Sequence, residues 1–590
     1  MKKWTGGSVI LVLTVLLFLR YSLLPPSSPS LLRLGRKSHR LYFSALPGLA
    51  DLFAPNQTRS DPDPRLVWRH MLPVLSGPPS LPAVADAVKE ASVAWRSLVV
   101  DAAELASIVE KGDNFTCPFS VSGNGSGGFV EIPCGLVQDS AVTVLGVPAG
   151  RNGSGGFWIE LIGSGNVVLR VNVSIGVDGV AVSQSSWSKE RGWGEWEWCP
   201  GLSQSAGNDS NSRVDGLVRC NEQLGETTSK QNLNGSLLDV EKQVGPSKSS
   251  LLSSNSPFIE GQPFAATLWA GVEGFHITVN GKHETSFAYR EMLEPWYVSA
   301  VRVKGDLHLV SLLANGLPVT EDVDLIGDIN RLKAPPVPKK RLLMLVAVFS
   351  TGNNFQRRMA VRRSWMQYES VRSGNVAVRF LTGLDKNKQV NLELWKEAQT
   401  FGDIQLMPFV DYYSLITLKA VAACILGTRI LPAKYIMKTD DDAFVRIDEV
   451  LSSLKSHAPR GLLYGLISFE SSPHRDKDSK WFISSKEWPH DSYPPWAHGP
   501  GYIISRDIAK FIAQGHQEQE LQLFKLEDVA MGIWIQEFKK RGQEVNYVSD
   551  ERFHNAGCES GYVLAHYQGP RNLLCLWEKL QTGHEALCCE

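Results

Sequence analysis

What the sequence lacks narrows the reading first. The 590 residues carry 60 Lys and Arg against 61 Asp and Glu, and a formal charge of -1 leaves no overall basic field to hold nucleic acid. Among nine cysteines there is no Cys-x-x-Cys pair, so zinc-finger spacing is absent. The first apolar run, Val9–Leu19 continued past Arg20 to Leu24, meets Pro25-Pro26 instead of a small-residue cleavage site. An uncleaved signal anchor is therefore expected. Sequons are missing from the whole chain beyond residue 240, which suits a compact C-terminal half.

What is present fits a lumenal protein. Lys2 and Lys3 precede the apolar run, so the positive-inside rule keeps residues 1–7 cytosolic, threads 8–24 through the membrane and leaves the body in the lumen. The span is short and Arg20 must snorkel, which suits a thinner, early-secretory membrane better than the plasma membrane. Sequons at Asn56, Asn114, Asn124, Asn152, Asn172, Asn208 and Asn234 agree. In that compartment disulfides are expected. Cys117 and Cys134 bracket a Gly-rich stretch, Cys199 and Cys220 flank a polar loop, and Cys558, Cys575, Cys588 and Cys589 crowd the end. Cys424, in an apolar helical segment, is the candidate free thiol.

The length exceeds one hydrophobic core and predicts two or three folded units. Residues 25–130, rich in Pro and Ser at their start with one helix over Leu81–Glu110, read as a stem. Residues 131–326 read as a β-sandwich, with strands at Phe157–Ile162, Val167–Val173, Phe264–Ala270, Phe275–Val279 and His308–Leu312. A Ser/Asn/Gly-rich stretch near 201–256 reads as a disordered insertion within it. Residues 327–339, with Pro335-Pro336-Val337-Pro338, form the linker. From 340 to 590 the period changes. Strands at Leu342–Phe349, Val376–Leu381, Ile404–Pro408 and Tyr435–Lys438 alternate with helices over Gln356–Tyr368 and Ser414–Gly427, which predicts an α/β domain on a parallel sheet. Ligands then belong at the carboxyl ends of the strands.

Three motifs carry chemistry. Thr439-Asp440-Asp441-Asp442 follows a strand, and adjacent carboxylates repel unless neutralised. Alone the triplet reads equally as an acidic cap for a helix near Ile447; its place at a sheet's carboxyl edge points to a hard divalent cation shared with phosphates. Glu527-Asp528-Val529 opens the helix Ala530–Phe538, where a carboxylate is commonly a mere dipole partner. Beside a cation site it supplies a general base, as displacement at an anomeric carbon requires. Tyr493-Pro494-Pro495-Trp496-Ala497-His498-Gly499-Pro500-Gly501-Tyr502 predicts a rigid loop whose rings stack on sugars, or a turn into a strand at Tyr502–Ile504. His554 and His566 are candidates to complete a metal shell.

From 340 onward the chain resembles the β1,3-glycosyltransferase family of β1,3-galactosyltransferases and Fringe-type enzymes. The resemblance rests on Arg357-Arg358-Met359-Ala360-Val361-Arg362-Arg363-Ser364-Trp365, Arg379-Phe380-Leu381-Thr382-Gly383, Asp403-Ile404 with Asp411-Tyr412-Tyr413 and Leu418-Lys419, and the three motifs above. It implies a GT-A fold and inverting transfer that gives a β linkage. It also implies Mn²⁺ held by Asp440, Asp442 and His566, a base at Asp528, and nucleotide-sugar contacts at Arg358, Arg362, Asp440, Asp441, Trp496, Gly499, Gly501 and Glu527.

The middle domain is similar to galectins in Phe275-His276-Ile277-Thr278-Val279-Asn280-Gly281-Lys282-His283 and Phe287-Ala288-Tyr289-Arg290. It departs from their sugar-binding pattern. Arg170-Val171-Asn172-Val173-Ser174 replaces His-x-Asn-Pro-Arg, and Trp193 is followed by Trp196 and Trp198 where a Glu and an Arg are expected. Galectin-like and transferase domains fused in this order resemble plant β1,3-galactosyltransferases, which transfer from UDP-galactose either to terminal GlcNAc of N-glycans (the Lewis a type) or to hydroxyproline of arabinogalactan proteins. Residues 340–442, 524–536 and the Cys588-Cys589-Glu590 ending resemble the N-glycan type more. The expected protein is thus a Golgi type II enzyme acting on an N-glycan or glycoprotein. A galactoside-binding lectin with an inactive transferase domain is the rival from another class.

Overall fold

A computed structural model describes residues 48–53, 63–77, 83–109, 116–124, 128–149, 155–176, 179–199, 213–215, 217–218, 257–291, 293–321, 326–336, 341–476, 481–583 and 585–589, with single residues 46, 81 and 479. The chain divides into two compact units, Met1–Leu46 and Pro47–Glu590, and the second holds every element below. The expected anchor, and Asn56, Asn114, Asn152, Asn208 and Asn234, lie outside the described residues.

Alternation builds the sandwich. Phe264–Ala270 buries every second side chain, as a strand with one face inward must. One sheet has six strands in the order Val121–Asn124, Leu307–Asn315, Ala141–Pro148, Phe264–Ala270, Gly274–Val279, Lys282–Ala288. The other runs Phe129–Glu131, Ala300–Gly305, Gly155–Gly163, Asn166–Gly176, Gly179–Ser188, Gly192–Trp193, with Glu197–Cys199 also paired to Gly179–Ser188. Between them Phe157 stacks on Phe264 at 5.2 Å and meets Phe258 edge-on at 5.6 Å. The sandwich therefore begins at Val121, ahead of the expected boundary. The insertion is not wholly without structure. Arg213–Val214 pairs with Leu217–Val218, and Asp215 between them bonds buried His276 at 2.8 Å. Asn172 is half-buried between two partner strands, which is not the surface loop a glycan acceptor was expected to occupy.

The C-terminal domain is built on a mixed sheet. Its strands are β1 (Leu342–Phe349), β2 (Val376–Leu384), β3 (Ile404–Val410), β4 (Ala433–Asp440), β6 (Leu462–Ser468), β7 (Trp496–Ser505) and β8 (Asn546–Ser549), in the order β3-β2-β1-β4-β7-β6-β8. The strands β1 to β4 are parallel, as expected. Beyond β4, β7 pairs antiparallel with both β4, from Thr439↔Gly501 to Tyr435↔Ser505, and β6, while β8 at the edge pairs parallel with β6. Every residue of β2 and β3 is buried, consistent with helices on both faces. These helices are α2 (Phe355–Arg363), α3 (Lys388–Phe401), α4 (Ile416–Ile425), α5 (Ile447–Lys455), α6 (Arg506–Gln517), α7 (Glu527–Lys540) and α8 (Pro570–Gly583). Capping sets α3 locally: the Asn387 side chain accepts from Gln389 and Val390 amides, and Gly402 closes it at φ 70°. The stretch Tyr413–Ile430 is, among the described residues, the one helical segment apolar and long enough to cross a membrane. It is packed in the core, with every residue from Thr417 to Ile425 buried.

The expected stem is no free spacer. Its helix α1 (Val84–Val109) presents Val84, Ala87, Val88, Ala91, Trp95 and Leu98 at helical spacing, and all are buried. Trp95 meets Trp395 of α3 at 5.5 Å, and the Trp68 indole donates to the Leu406 carbonyl at 2.8 Å. Disulfides join Cys117 to Cys134, Cys558 to Cys588 and Cys575 to Cys589; Cys199 is disulfide-bonded as well, and Cys424 is free and buried.

Candidate active site

The acidic triplet splits by direction. β4 ends at Asp440, level with Phe349 of β1, and the Asp441 amide then bonds the Phe349 carbonyl at 3.1 Å. Asp441 turns inward, 4% exposed, and accepts from Ser350 Oγ (2.7 Å), Asn354 Nδ2 (2.8 Å) and Arg357 (3.3 Å). Asp440 and Asp442 are left facing outward. Next comes β5 (Phe444–Val445), which pairs with β10 (Leu564–Ala565), itself beside β9 (Phe553–His554). That small sheet places His566 over the triplet, and the Gln568 amide fastens it to the Asp442 carbonyl at 2.7 Å.

His566 Nε2 lies 3.3 Å from Asp442 and 3.9 Å from Asp440. One ligand atom from each of the three residues falls within 4.8 Å of the others, a spacing that could hold a metal ion. The donor set is oxygen and imidazole, which suits Mn²⁺. His566 Nδ1 faces the Asn555 carbonyl at 2.9 Å, so the ring is oriented with Nε2 toward the two carboxylates. Asn555 in turn donates to His498 Nδ1 at 2.8 Å, and His498 meets Ser468 at 3.0 Å. Burial works to raise the Asp442 carboxyl, but the hydrogen bond and charge of His566, with Arg357 at 3.3 Å, hold it below its ordinary value. His554 takes no part and faces Glu559 at 3.8 Å.

Across from this cluster stands Asp528. It lies in the first turn of α7, where its own Oδ1 accepts from the Val529 amide at 2.8 Å. Lys438 joins the two acidic groups. On a strand it shares a face with Asp440, and its ammonium sits 2.8 Å from Asp440 and 3.6 Å from Glu527 while bonding the Gly499 carbonyl. A methyl group built on Gly499 would meet Asp528 Oδ2 at 3.6 Å and Lys438 Nζ at 3.7 Å, so all three crowd one spot. Burial raises Asp528 above the usual carboxylate range, Asp440 adds to the rise, and Lys438 opposes it. Tyr413, 61% exposed, rims the same space, close enough for Asp528, Lys438 and Asp440 to act on its phenol.

Several expected contacts lie elsewhere. Arg358 and Arg362 are fully buried and cannot reach a nucleotide: Arg358 binds Glu397 at 2.7 Å and the carbonyls of Thr351 and Gly352, while Arg362 binds Asp403 at 2.8 Å and Glu397 at 2.7 Å. Asp441 is spent on Ser350 and Asn354. Glu527 is buried, accepts from the Tyr502 hydroxyl and is pushed up to about 7 by burial, so it backs Lys438 and does not face the cleft. Gly501 is a packing position, since a methyl group there would meet Leu564 at 2.2 Å. The expected loop is mostly strand: Trp496 starts β7 and its indole donates to Ser471 at 2.6 Å. Sequence reading passed over Lys438 and Arg357. Period-2 spacing from Asp440 would have found the former; nothing local distinguishes the latter from its neighbours.

With this geometry, the likenesses fall into place. Residues 356–544 match the Galactosyltransferase family and residues 128–314 the Galactoside-binding lectin family. The chain is 46% identical to beta-1,3-galactosyltransferase GALT1 of Arabidopsis thaliana, over 90% of this chain and 86% of that one. It is 36% identical to hydroxyproline O-galactosyltransferase GALT6 of the same plant, over 82% and 76%. A solved sheep galectin-11 covers 34% of this chain and 98% of its own, at 15% identity and a TM-score of 0.19. The chain belongs to the galactosyltransferase family, as an enzyme of the β1,3-galactosyltransferase kind with a galectin-like domain ahead of its catalytic domain.

Proposed function

We propose that the protein is an inverting, Mn²⁺-dependent transferase that moves galactose from UDP-galactose to the 3-hydroxyl of terminal GlcNAc on N-glycans. The observation that carries the mechanism is the meeting of Asp440, Asp442 and His566 opposite Asp528 at the carboxyl end of β4. We read the domain as a GT-A fold on the same ground. A bound Mn²⁺ would neutralise charge on the departing diphosphate. The chain's own groups do the rest. Asp528 takes the proton from the acceptor hydroxyl as that oxygen bonds the anomeric carbon; the carbon–phosphate oxygen bond breaks, and UDP leaves with the electron pair. Lys438 keeps Asp528 ionised until then, and Tyr413 offers a ring face to a sugar.

The greater identity to GALT1 than to GALT6 favours the N-glycan acceptor. A hydroxyproline acceptor is the second reading, supported by relatives that bear that activity in their names. The N-terminal apolar run after Lys2 and Lys3, and the sequons, support a type II Golgi protein with its catalytic domain lumenal. A panel of GlcNAc-terminated N-glycan and hydroxyproline peptide, each with UDP-galactose and Mn²⁺, with and without EDTA, separates these readings. Transfer to the N-glycan alone is expected; transfer to the peptide alone replaces the acceptor assignment. In the same assay Asp528→Asn should lose about 10²- to 10⁴-fold in kcat while still binding Mn²⁺. Turnover near normal removes Asp528 from the base role.

A further inference from the structure

A second cavity, of about 1160 Å³, shares no lining residue with the acidic cluster. Its walls come from Asp63–His70 ahead of α1, from Lys333–Pro336, from the α3–β3 turn and from Arg429–Leu431 before β4. Cations dominate it: Arg65, Arg69, Lys333, Arg379 and Arg429 stand against one carboxylate, Asp63, while burial and the charges of Arg69 and Arg429 favour the neutral form of His70. That carboxylate is occupied, since Arg65 holds it at 3.0 Å.

Arg379 is the unusual member. It is 7% exposed, and its guanidinium donates to the adjacent Val378 carbonyl at 2.7 Å. The nearest carboxylate by charge, Asp403, is bound through both oxygens by Arg362. Among the described residues no carboxylate lies within ion-pair distance of Arg379, although a buried cation is costly unless paired. Beside it the Gln405 side-chain oxygen is buried and accepts no hydrogen bond. A cation wanting an anion and an acceptor wanting a donor therefore line one cavity. Neither requirement concerns galactose transfer, and the motif Arg379-Phe380-Leu381-Thr382-Gly383 puts nothing of Arg379 at the catalytic cluster.

We propose that this cavity binds a small anionic saccharide, a sugar phosphate or a uronic acid, with its charged group on Arg379, Arg69 and Arg429 and a hydroxyl donated to Gln405. The volume suffices for such a ligand. The exposed Arg69 and Arg429 would draw it in, and binding should weaken with salt.

The test is calorimetric titration of the full-length chain in detergent with EDTA present, using galactose 1-phosphate, galacturonate, inorganic phosphate and galactose as probes. Either anionic sugar is expected to bind at least tenfold more tightly than both inorganic phosphate and neutral galactose. Arg69→Ala combined with Arg429→Ala should weaken it tenfold or more and leave transfer from UDP-galactose unchanged. Arg379→Gln should abolish it; should that variant fail to fold, the exposed double variant decides. Absence of binding by both anionic sugars overturns the proposal. So does binding by inorganic phosphate as tight as theirs, or affinity undiminished in the double variant. A failed proposal here would leave the catalytic reading intact, because that reading is measured by transfer.

Discussion

Lys438 does at the scale of one residue what neither acidic motif does alone. Its charge lowers both Glu527 and Asp528 against the burial that raises them. A base must be ionised to act, so activity falls as pH drops through the Asp528 pKa, and the raised pKa sets that fall above the ordinary carboxylate range. Lys438→Gln removes a lowering influence. The acid limb of kcat/KM against pH should then move to higher pH at saturating Mn²⁺, and a stationary limb would refute the coupling. His566 offers the complementary test. Loss of an outer-shell partner costs about 10- to 100-fold in metal affinity, so His566→Gln, which removes a direct donor, should raise the Mn²⁺ concentration for half activity by more than that. The splitting of the triplet also belongs to this scale. Three adjacent letters cannot say that Asp441 points inward, because that depends on Ser350 and Asn354, some 90 residues earlier, as the separations of 91 and 87 show.

At the scale of elements, apolar runs were legible and polar ones were misread for a physical reason. Leu342–Phe349 and Phe264–Ala270 have the ends expected of them, since their burial pattern is written in their own residues. For the Arg-rich helix α2 the family resemblance implies nucleotide-sugar contacts at Arg358 and Arg362, and both side chains are buried instead. Here Glu397 of α3 and Asp403 before β3 satisfy their charge in the core, and only tertiary packing brings these carboxylates to it. Breaking a buried pair by removing one partner costs about 3–5 kcal/mol, since the other charge is stranded. Arg362→Leu should accordingly lower the urea midpoint sharply, and at permissive temperature the folded fraction should keep its Mn²⁺ requirement. A variant with unchanged midpoint would show that the network contributes nothing net. The same limit explains β7. Its Pro and Gly argued for a loop, yet pairing with β4 and β6 holds Trp496–Ser505 as strand and aims Gly499 at Asp528.

For the whole molecule, the order of segments was readable but their attachment was not. Composition made residues 25–130 a spacer, whereas residues 63–77 and 83–98 pack on the catalytic domain through contacts distant in sequence, such as Trp68 to Leu406, a separation of 338. The sandwich is tied to the same body, since Asn387, the cap of α3, donates to the Cys134 carbonyl at 2.9 Å. The helix α1 is then a structural part of the enzyme. Trp68, Trp95 and Trp395 meet edge-on in succession at 5.0 and 5.5 Å, and truncating a buried Trp costs about 3–5 kcal/mol. Trp95→Ala should therefore lower the melting temperature of the catalytic domain itself, and a chain begun at residue 131 should fare worse. That shortened chain also loses Val121–Asn124, most of Phe129–Glu131 and the Cys117–Cys134 bridge, so the point variant isolates the helix. Scanning calorimetry of the protein distinguishes the cases. If Trp95→Ala melts with the parent and keeps its transfer rate, α1 is a passenger and the spacer reading returns; if both fall together, the helix belongs to the folded body of the enzyme.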